Sequence, residues 1–158
     1  MEFYTKNQMK SEEPSKIEIE NLLTQYQNNN YELAEKLALS IIKEFPQHQL
    51  TWKIIGAVYK QTDKLEESIL ANKNAVKIDP NDPAAHNNLG ITLRDSGRIE
   101  EAEVSLKMAV NLKPDYAEAY NNLGITIKKP DECIKYLRKA IAINPASVSY
   151  THLTLPTN

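Results

Sequence analysis

Apolar residues recur every three or four positions through most of this chain, and the recurrence is broken by short polar or proline-bearing stretches. That pattern predicts amphipathic helices in pairs. Ser15 opens the first helix with Glu18 three residues on, the spacing of a capping box, and Ile19, Leu22, Leu23 and Tyr26 mark one apolar face. Asn28, Asn29 and Asn30 read as a turn, because Asn bonds its own backbone and tolerates left-handed geometry. The second helix, Tyr31 to about Glu44, places Leu33, Ala34, Leu37, Ala38, Ile41 and Ile42 at helical spacing, and Pro46 stops it. The next helix carries Trp52, Ile55, Gly56 and Tyr59. Asp63 with Glu66 reads as the capping box of its partner, which holds Leu65, Ile69, Ala75 and Ile78 before Pro80.

A third pair opens with Asp82 as cap and Pro83 in the first turn, where a missing N–H costs nothing. Gly97 is expected in the left-handed position that ends a helix. Ala102, Leu106, Ala109 and Leu112 follow, closed by Pro114. The fourth pair begins with Tyr120, Leu123 and Gly124 but is shorter: Pro145 follows Pro114 three positions sooner than Pro114 follows Pro80. Lys129-Pro130 stands where a Gly-containing turn is expected. Either the turn is tighter or the helix before it ends early, while Cys133, Leu137 and Ala140 keep their spacing from Pro145.

A fixed period of about 34 residues, the length of one tetratricopeptide repeat, relates these pairs. His86, Leu89, Gly90 and Leu93 fall, one period on, at Tyr120, Leu123, Gly124 and Ile127, and one period back, at Trp52, Ile55, Gly56 and Tyr59. With W-x-x-L-G-x-x-Y, then A-x-x-x-F, then P, the chain resembles the tetratricopeptide-repeat (TPR) family over residues 15–145. The resemblance implies an all-α superhelix of about four helical hairpins, with units at about 15–48, 49–82, 83–116 and 117–146. The first is degenerate, lacking the Leu-Gly pair. Gly90 and Ala102 are small residues expected to face each other and let their helices approach closely. Ser68 and Asn72 depart from the family's Ala and Phe, and Asn72 is expected to loosen its unit. Residues 1–14 read as a mobile arm. Residues 147–158 break the pattern and resemble the translation of a transposase-end sequencing adaptor, so they are set aside as a non-native tail.

Composition narrows the field without choosing a partner. The 158 residues are 41% hydrophobic and 25% charged, ordinary for a folded domain. A net charge of −2 and a pI near 6.0 give no pull toward nucleic acid or an anionic membrane. The single Cys133 and a polar start without a signal-peptide core fit a cytoplasmic protein. His48, His86 and His152 lack metal-site spacing, and His86 fills its repeat's aromatic slot as a packing residue. No Ser-His-Asp order, phosphate loop or paired-carboxylate pocket assembles, so neither catalysis nor a cofactor is expected.

Resemblance to the family sends the first helix of each pair to a concave wall that holds an extended peptide or a partner's helix. Asn88 and Asn122 resemble the asparagine ladder of O-linked N-acetylglucosamine transferases. A carboxamide both donates and accepts, so it can grip a peptide main chain whatever its sequence. Lys53, Asn87 and Asn121 stand beside them, and Ile54 interrupts the ladder; the other reading is that these are solvated repeat residues. Lys60, Arg94 and Lys128 recur at the repeat spacing as a basic stripe for acidic groups, or simply as cations near helix C-termini. The family's clamp for chaperone tails is not carried over, since Ala57, Ile91 and Ile125 stand where it needs polarity.

The expectation is a protein- or peptide-binding module, neither nucleic-acid- nor membrane-directed. The alternative is the N-terminal substrate-recruiting arm of a larger, truncated glycosyltransferase- or sulfotransferase-like enzyme. A second copy of the chain is a further candidate partner, through an uncapped last helix bearing Ile134, Leu137 and Ile141.

Overall fold

The computed structural model describes residues 13–147; the proposed arm up to residue 12 and the tail from residue 148 lie outside them. The described residues form eight α-helices and no strand: α1 (Lys16–Gln27), α2 (Tyr31–Glu44), α3 (Gln49–Gln61), α4 (Leu65–Ile78), α5 (Pro83–Asp95), α6 (Ile99–Leu112), α7 (Ala117–Thr126) and α8 (Pro130–Ile143), ending in a 3-10 turn at Pro145–Ser147. None is long and apolar enough to cross a membrane. Each helix packs on the next, and the leading helices α1, α3, α5 and α7 also touch in order. Among the described residues, the trailing helices α2, α4, α6 and α8 have no comparable contact with one another. The array therefore curves with the leading helices inside. Three apolar clusters follow one another along it, centred on Leu22 and Ile55, on Leu89 and Leu93, and on Leu106 and Leu123.

The turns inside the first three hairpins share one device. Asn29 (φ 60°), Asp63 (φ 60°) and Gly97 (φ 81°), at one repeat position in successive units, adopt left-handed backbone. The amide of the next residue then reaches back five positions: Asn30 N–H donates to Gln25 O (2.9 Å), Lys64 N–H to Tyr59 O (2.8 Å) and Arg98 N–H to Leu93 O (2.8 Å). These bonds satisfy carbonyls that a helix end would leave bare. This overturns the capping box expected at Asp63: α4 is entered through Lys64 with no side-chain cap. Asp63 serves instead as the left-handed residue, a role its short polar side chain tolerates. The Ser15–Glu18 box does form, with Glu18 Oε2 accepting from Ser15 N–H (2.8 Å).

Asp63→Gly relieves left-handed strain and is expected to raise stability by about 1 kcal/mol. Gly97→Ala, which meets no neighbour, should lower it by a similar amount. Urea denaturation midpoints that moved together, or in the opposite senses, would contradict this account.

The close approach of the two helices in each hairpin follows a size rule. A Cβ built on Gly90 would fall 2.5 Å from Leu106 Cγ and 3.2 Å from Ala102 O; one on Gly124 would fall 2.7 Å from Leu137 Cδ2. It is thus Leu106, more than the expected Ala102 side chain, that fills the space at Gly90. In the first unit the sizes are exchanged: Leu22 stands in the glycine's repeat position and Ala38 in the leucine's, both wholly buried in one cluster. That exchange accounts for the first unit's missing Leu-Gly pair.

The fourth hairpin resolves its shortage by ending α7 early, at Thr126. Pro130 opens α8 and holds Lys129 extended (φ −83°, ψ 117°), as a residue before proline must be. The left-handed residue is absent from this turn. Leu137, expected on an exposed stripe with Ile134 and Ile141, is buried against Gly124, and the two isoleucines are half-buried.

Candidate functional site

The aromatic slot ties successive hairpins together and fixes what the leading helices present. Trp52 Nε1–H donates to Pro46 O (2.8 Å) and His86 Nε2 lies 2.9 Å from Pro80 O, each six residues back. A carbonyl only accepts, so His86 Nε2 carries its hydrogen. The ring, expected only to pack, is also a structural donor. Tyr120, third in the series, instead stacks on Tyr136, with centroids 6.2 Å apart and planes at 26°.

With the helices so held, the inner wall contains a hollow of about 160 Å³. Tyr26 of α1, Gly56, Ala57, Lys60 and Gln61 of α3, Asn72 of α4, and Asn88, Ile91 and Thr92 of α5 line it. The Asn88 carboxamide has no hydrogen-bond partner among the described residues.

The other expected wall residues are engaged elsewhere. Asn87 is 0% exposed: Nδ2 donates to Tyr116 Oη (3.4 Å) and Glu118 Oε1 (3.2 Å), and Oδ1 accepts from Asn122 Nδ2 (3.0 Å). Asn122 is itself buried, so Asn87 and Asn122 fasten the third unit to the fourth and do not face a groove. Asn121 is half-buried. Lys53 Nζ donates to Asp82 Oδ2 (2.7 Å), which also accepts from Gln49 Nε2 (3.0 Å), while Asp82 Oδ1 caps Ala84 N–H (2.8 Å). Burial alone would raise the Asp82 carboxyl, but the Lys53 ammonium and the Ala84 amide together hold it below the ordinary aspartate value. The basic stripe is also altered. Two of its members, Lys60 (3.1 Å) and Arg94 (3.0 Å), share the single Asp95 carboxylate, which leaves the trio one net positive charge. Lys128 falls beyond the early end of α7 and is exposed.

Asn72 is the residue whose role the sequence understated. It is buried and joined to two hydroxyls, with the hollow of about 160 Å³ beside it. Its Nδ2 donates to Thr92 Oγ1 (3.1 Å) and Ser68 Oγ (3.4 Å); those hydroxyls donate onward to Asn88 O (3.0 Å) and Gly56 O (2.7 Å). Asn72 Oδ1 has no partner among the described residues. The signal was legible: at the equivalent positions the next units carry Leu106 and Leu137.

A second depression, of about 740 Å³, lies between the trailing helices α6 and α8 with Tyr120 of α7. Lys107, Lys135, Arg138 and Lys139 border it beside Tyr136, and Lys139 lies 6.0 Å over the Tyr120 ring.

Comparison with known proteins accords with this architecture. A family model described as TPR repeat matches residues 56–93 and 90–130, and one described as tetratricopeptide repeat matches residues 117–147. By sequence, no curated protein matches. Among solved structures, a crystal structure of MamA protein is similar at TM-score 0.75 and 23% identity, over 82% of this chain and 72% of that one. PilF of Pseudomonas aeruginosa is similar at TM-score 0.75 and 23% identity, over 82% of this chain and 60% of its own. An O-GlcNAc transferase mutant of Thermobaculum terrenum is similar at TM-score 0.71 and 20% identity; 82% of this chain matches only 27% of that enzyme's.

Proposed function

The chain belongs to the tetratricopeptide-repeat family, and from that premise we propose that it is a protein–protein interaction module holding an extended peptide or partner segment on the wall formed by α1, α3, α5 and α7. Folds of this type are typically interaction modules. The observation that carries the reading is a strip on the leading helices. Ala57 and Ile91, half-buried, and Ile125, 38% exposed, recur at the repeat period beside Asn88, Asn121 and Gln61. Apolar side chains supply area there and uncommitted carboxamides supply main-chain recognition.

The test uses peptides selected from a displayed random dodecapeptide library against the folded chain. Bound peptide should shift the amide resonances of Ala57, Ile91 and Ile125. Asn88→Ala should weaken binding a few-fold to about tenfold, the worth of one or two hydrogen bonds. Shifts confined to Lys107, Tyr136 and Lys139 would move the site to the basic depression and sink the proposal.

The enzyme-arm alternative draws support from the transferase similarity, where the matching part is a small share of a longer chain. Sequencing the locus past the codon for Ala146 decides it. A stop after one or two further repeats excludes it.

A further inference from the structure

At the depression between α6 and α8 the fourth unit departs from its predecessors along one face of its trailing helix. Counted back from the proline that closes each unit, Lys135 stands where Leu70 and Val104 stand, Tyr136 where Ala71 and Ser105 stand, and Lys139 where Asn74 and Met108 stand. The matching groove between α4 and α6 is smaller, about 360 Å³. Leu89, Leu93 and Val104 line it, and its Lys73 lies 3.9 Å from Glu101. Between α6 and α8 the space is about 740 Å³ and holds two aromatic rings and four cations. Tyr120 takes part in the departure. Trp52 and His86 commit their ring nitrogens to the Pro46 and Pro80 carbonyls. Tyr120 stacks on Tyr136 instead, and neither phenol hydroxyl makes a hydrogen bond among the described residues.

Most of the positive charge here is unmatched. Lys107 pairs with Glu103, and the nearby Glu132 pairs with Lys129 at 3.1 Å. Lys135, Arg138 and Lys139 are exposed and form no ion pair among the described residues. Lys135 lies 5.9 Å from the Tyr136 ring and Lys139 6.0 Å from that of Tyr120. Lys135 and Lys139 are one turn apart on α8, where like charges repel. The helix dipole favours cations in a last turn, but the last turn of α8 has none. Charge also limits the partner. Together α6 and α8 carry five carboxylates against these four cations, so a bilayer or nucleic acid running past the depression meets repulsion. A short acidic segment confined to it does not, and Tyr120, Tyr136 and Val110 offer apolar area between the cations.

We propose that this outer depression is a second docking surface, taking a short acidic segment of a partner protein. Its Asp or Glu carboxylates meet Lys135, Arg138 and Lys139, and an aromatic side chain lies against Tyr120 and Tyr136. The surface is separate from the inner wall, and neither proposal rests on the other.

The probe is an end-blocked peptide of Asp and Glu about one central Phe, titrated into the wild-type chain and followed by amide resonances. Shifts are expected at Lys107, Tyr120, Tyr136 and Lys139, with Ala57 and Ile91 unmoved, and the affinity should fall as salt is raised. Replacing the peptide's Phe by Ala should weaken binding a few-fold. Lys139→Glu should weaken it about tenfold or more. Lys43→Glu, the same change of charge on α2, should alter it less than about twofold, because salt screens a distant charge. Both lysines are exposed, so circular dichroism should show both variants folded. A peptide that does not bind, equal weakening by the two variants, or shifts confined to the inner wall would each overturn the proposal. So would phosphatidylserine vesicles that bind the chain where the peptide does not and lose it on Lys139→Glu, since the patch would then be a lipid surface.

Discussion

Leu106→Ala is expected to cost about 2–5 kcal/mol of unfolding free energy, the range for emptying a fully buried leucine site. Leu106 is 0% exposed and occupies the space left open by Gly90. Gly90→Leu alone should also be damaging, because its first side-chain atom would land 2.5 Å from Leu106 Cγ, forcing α5 and α6 apart. Combining the two recreates the arrangement of the first unit, with the large residue on the leading helix and alanine on the trailing one. The double variant should therefore be more stable than the sum of the single losses by about 1–3 kcal/mol, a coupling expected of touching residues. Chemical denaturation of the four proteins measures it. Additive losses would mean that Leu22 and Ala38 are an unrelated coincidence.

The second large effect is expected at Asp82. One carboxylate caps α5 through Ala84 and holds Lys53 and Gln49 of α3, so it joins two hairpins. Both charged side chains are less than a quarter exposed, at 23% and 15%. Asp82→Ala removes a cap and strands a half-buried ammonium, at a combined cost of about 2–4 kcal/mol. The pH dependence follows from the direction of the shift. Asp82 ionises more readily folded than unfolded, so its contribution is complete above the ordinary aspartate pKa. It is lost as pH falls through the depressed folded value. Wild-type stability should thus decline more steeply than that of Asp82→Asn on acidification. Parallel declines would show that the carboxylate is not the coupling group.

Much of the fold was legible because periodicity reports burial directly. The regular spacing from Trp52 through His86 to Tyr120 placed three helical hairpins, and Pro46, Pro80 and Pro114 punctuated them. Asp63 was less legible, since the same residue type suits an N-cap and a left-handed turn; only the bond from Lys64 to Tyr59 separates the two. The wall was harder to read. Position in the repeat assigned Asn88 and Asn122 alike, but what an amide does depends on its neighbours. Tyr116, Glu118 and Asn122 claim Asn87, whereas no described residue claims Asn88. Sequence spacing carries no information on such pairings across units. Asn72 shows the converse: a departure from the repeat, read as a defect, marks a buried side chain with an unmet hydrogen-bonding demand.

The exchanged sizes at Leu22/Ala38 and Gly90/Leu106 bear on how the chain finds its register. Repeats so alike in pattern invite a helix to dock against the wrong neighbour while folding. Were α1 to seize α6, two leucines would collide; were α5 to seize α2, glycine would meet alanine across a void. Each mismatch is disfavoured by volume alone, so the hairpin of α1 and α2 carries its own safeguard against slipping along the array.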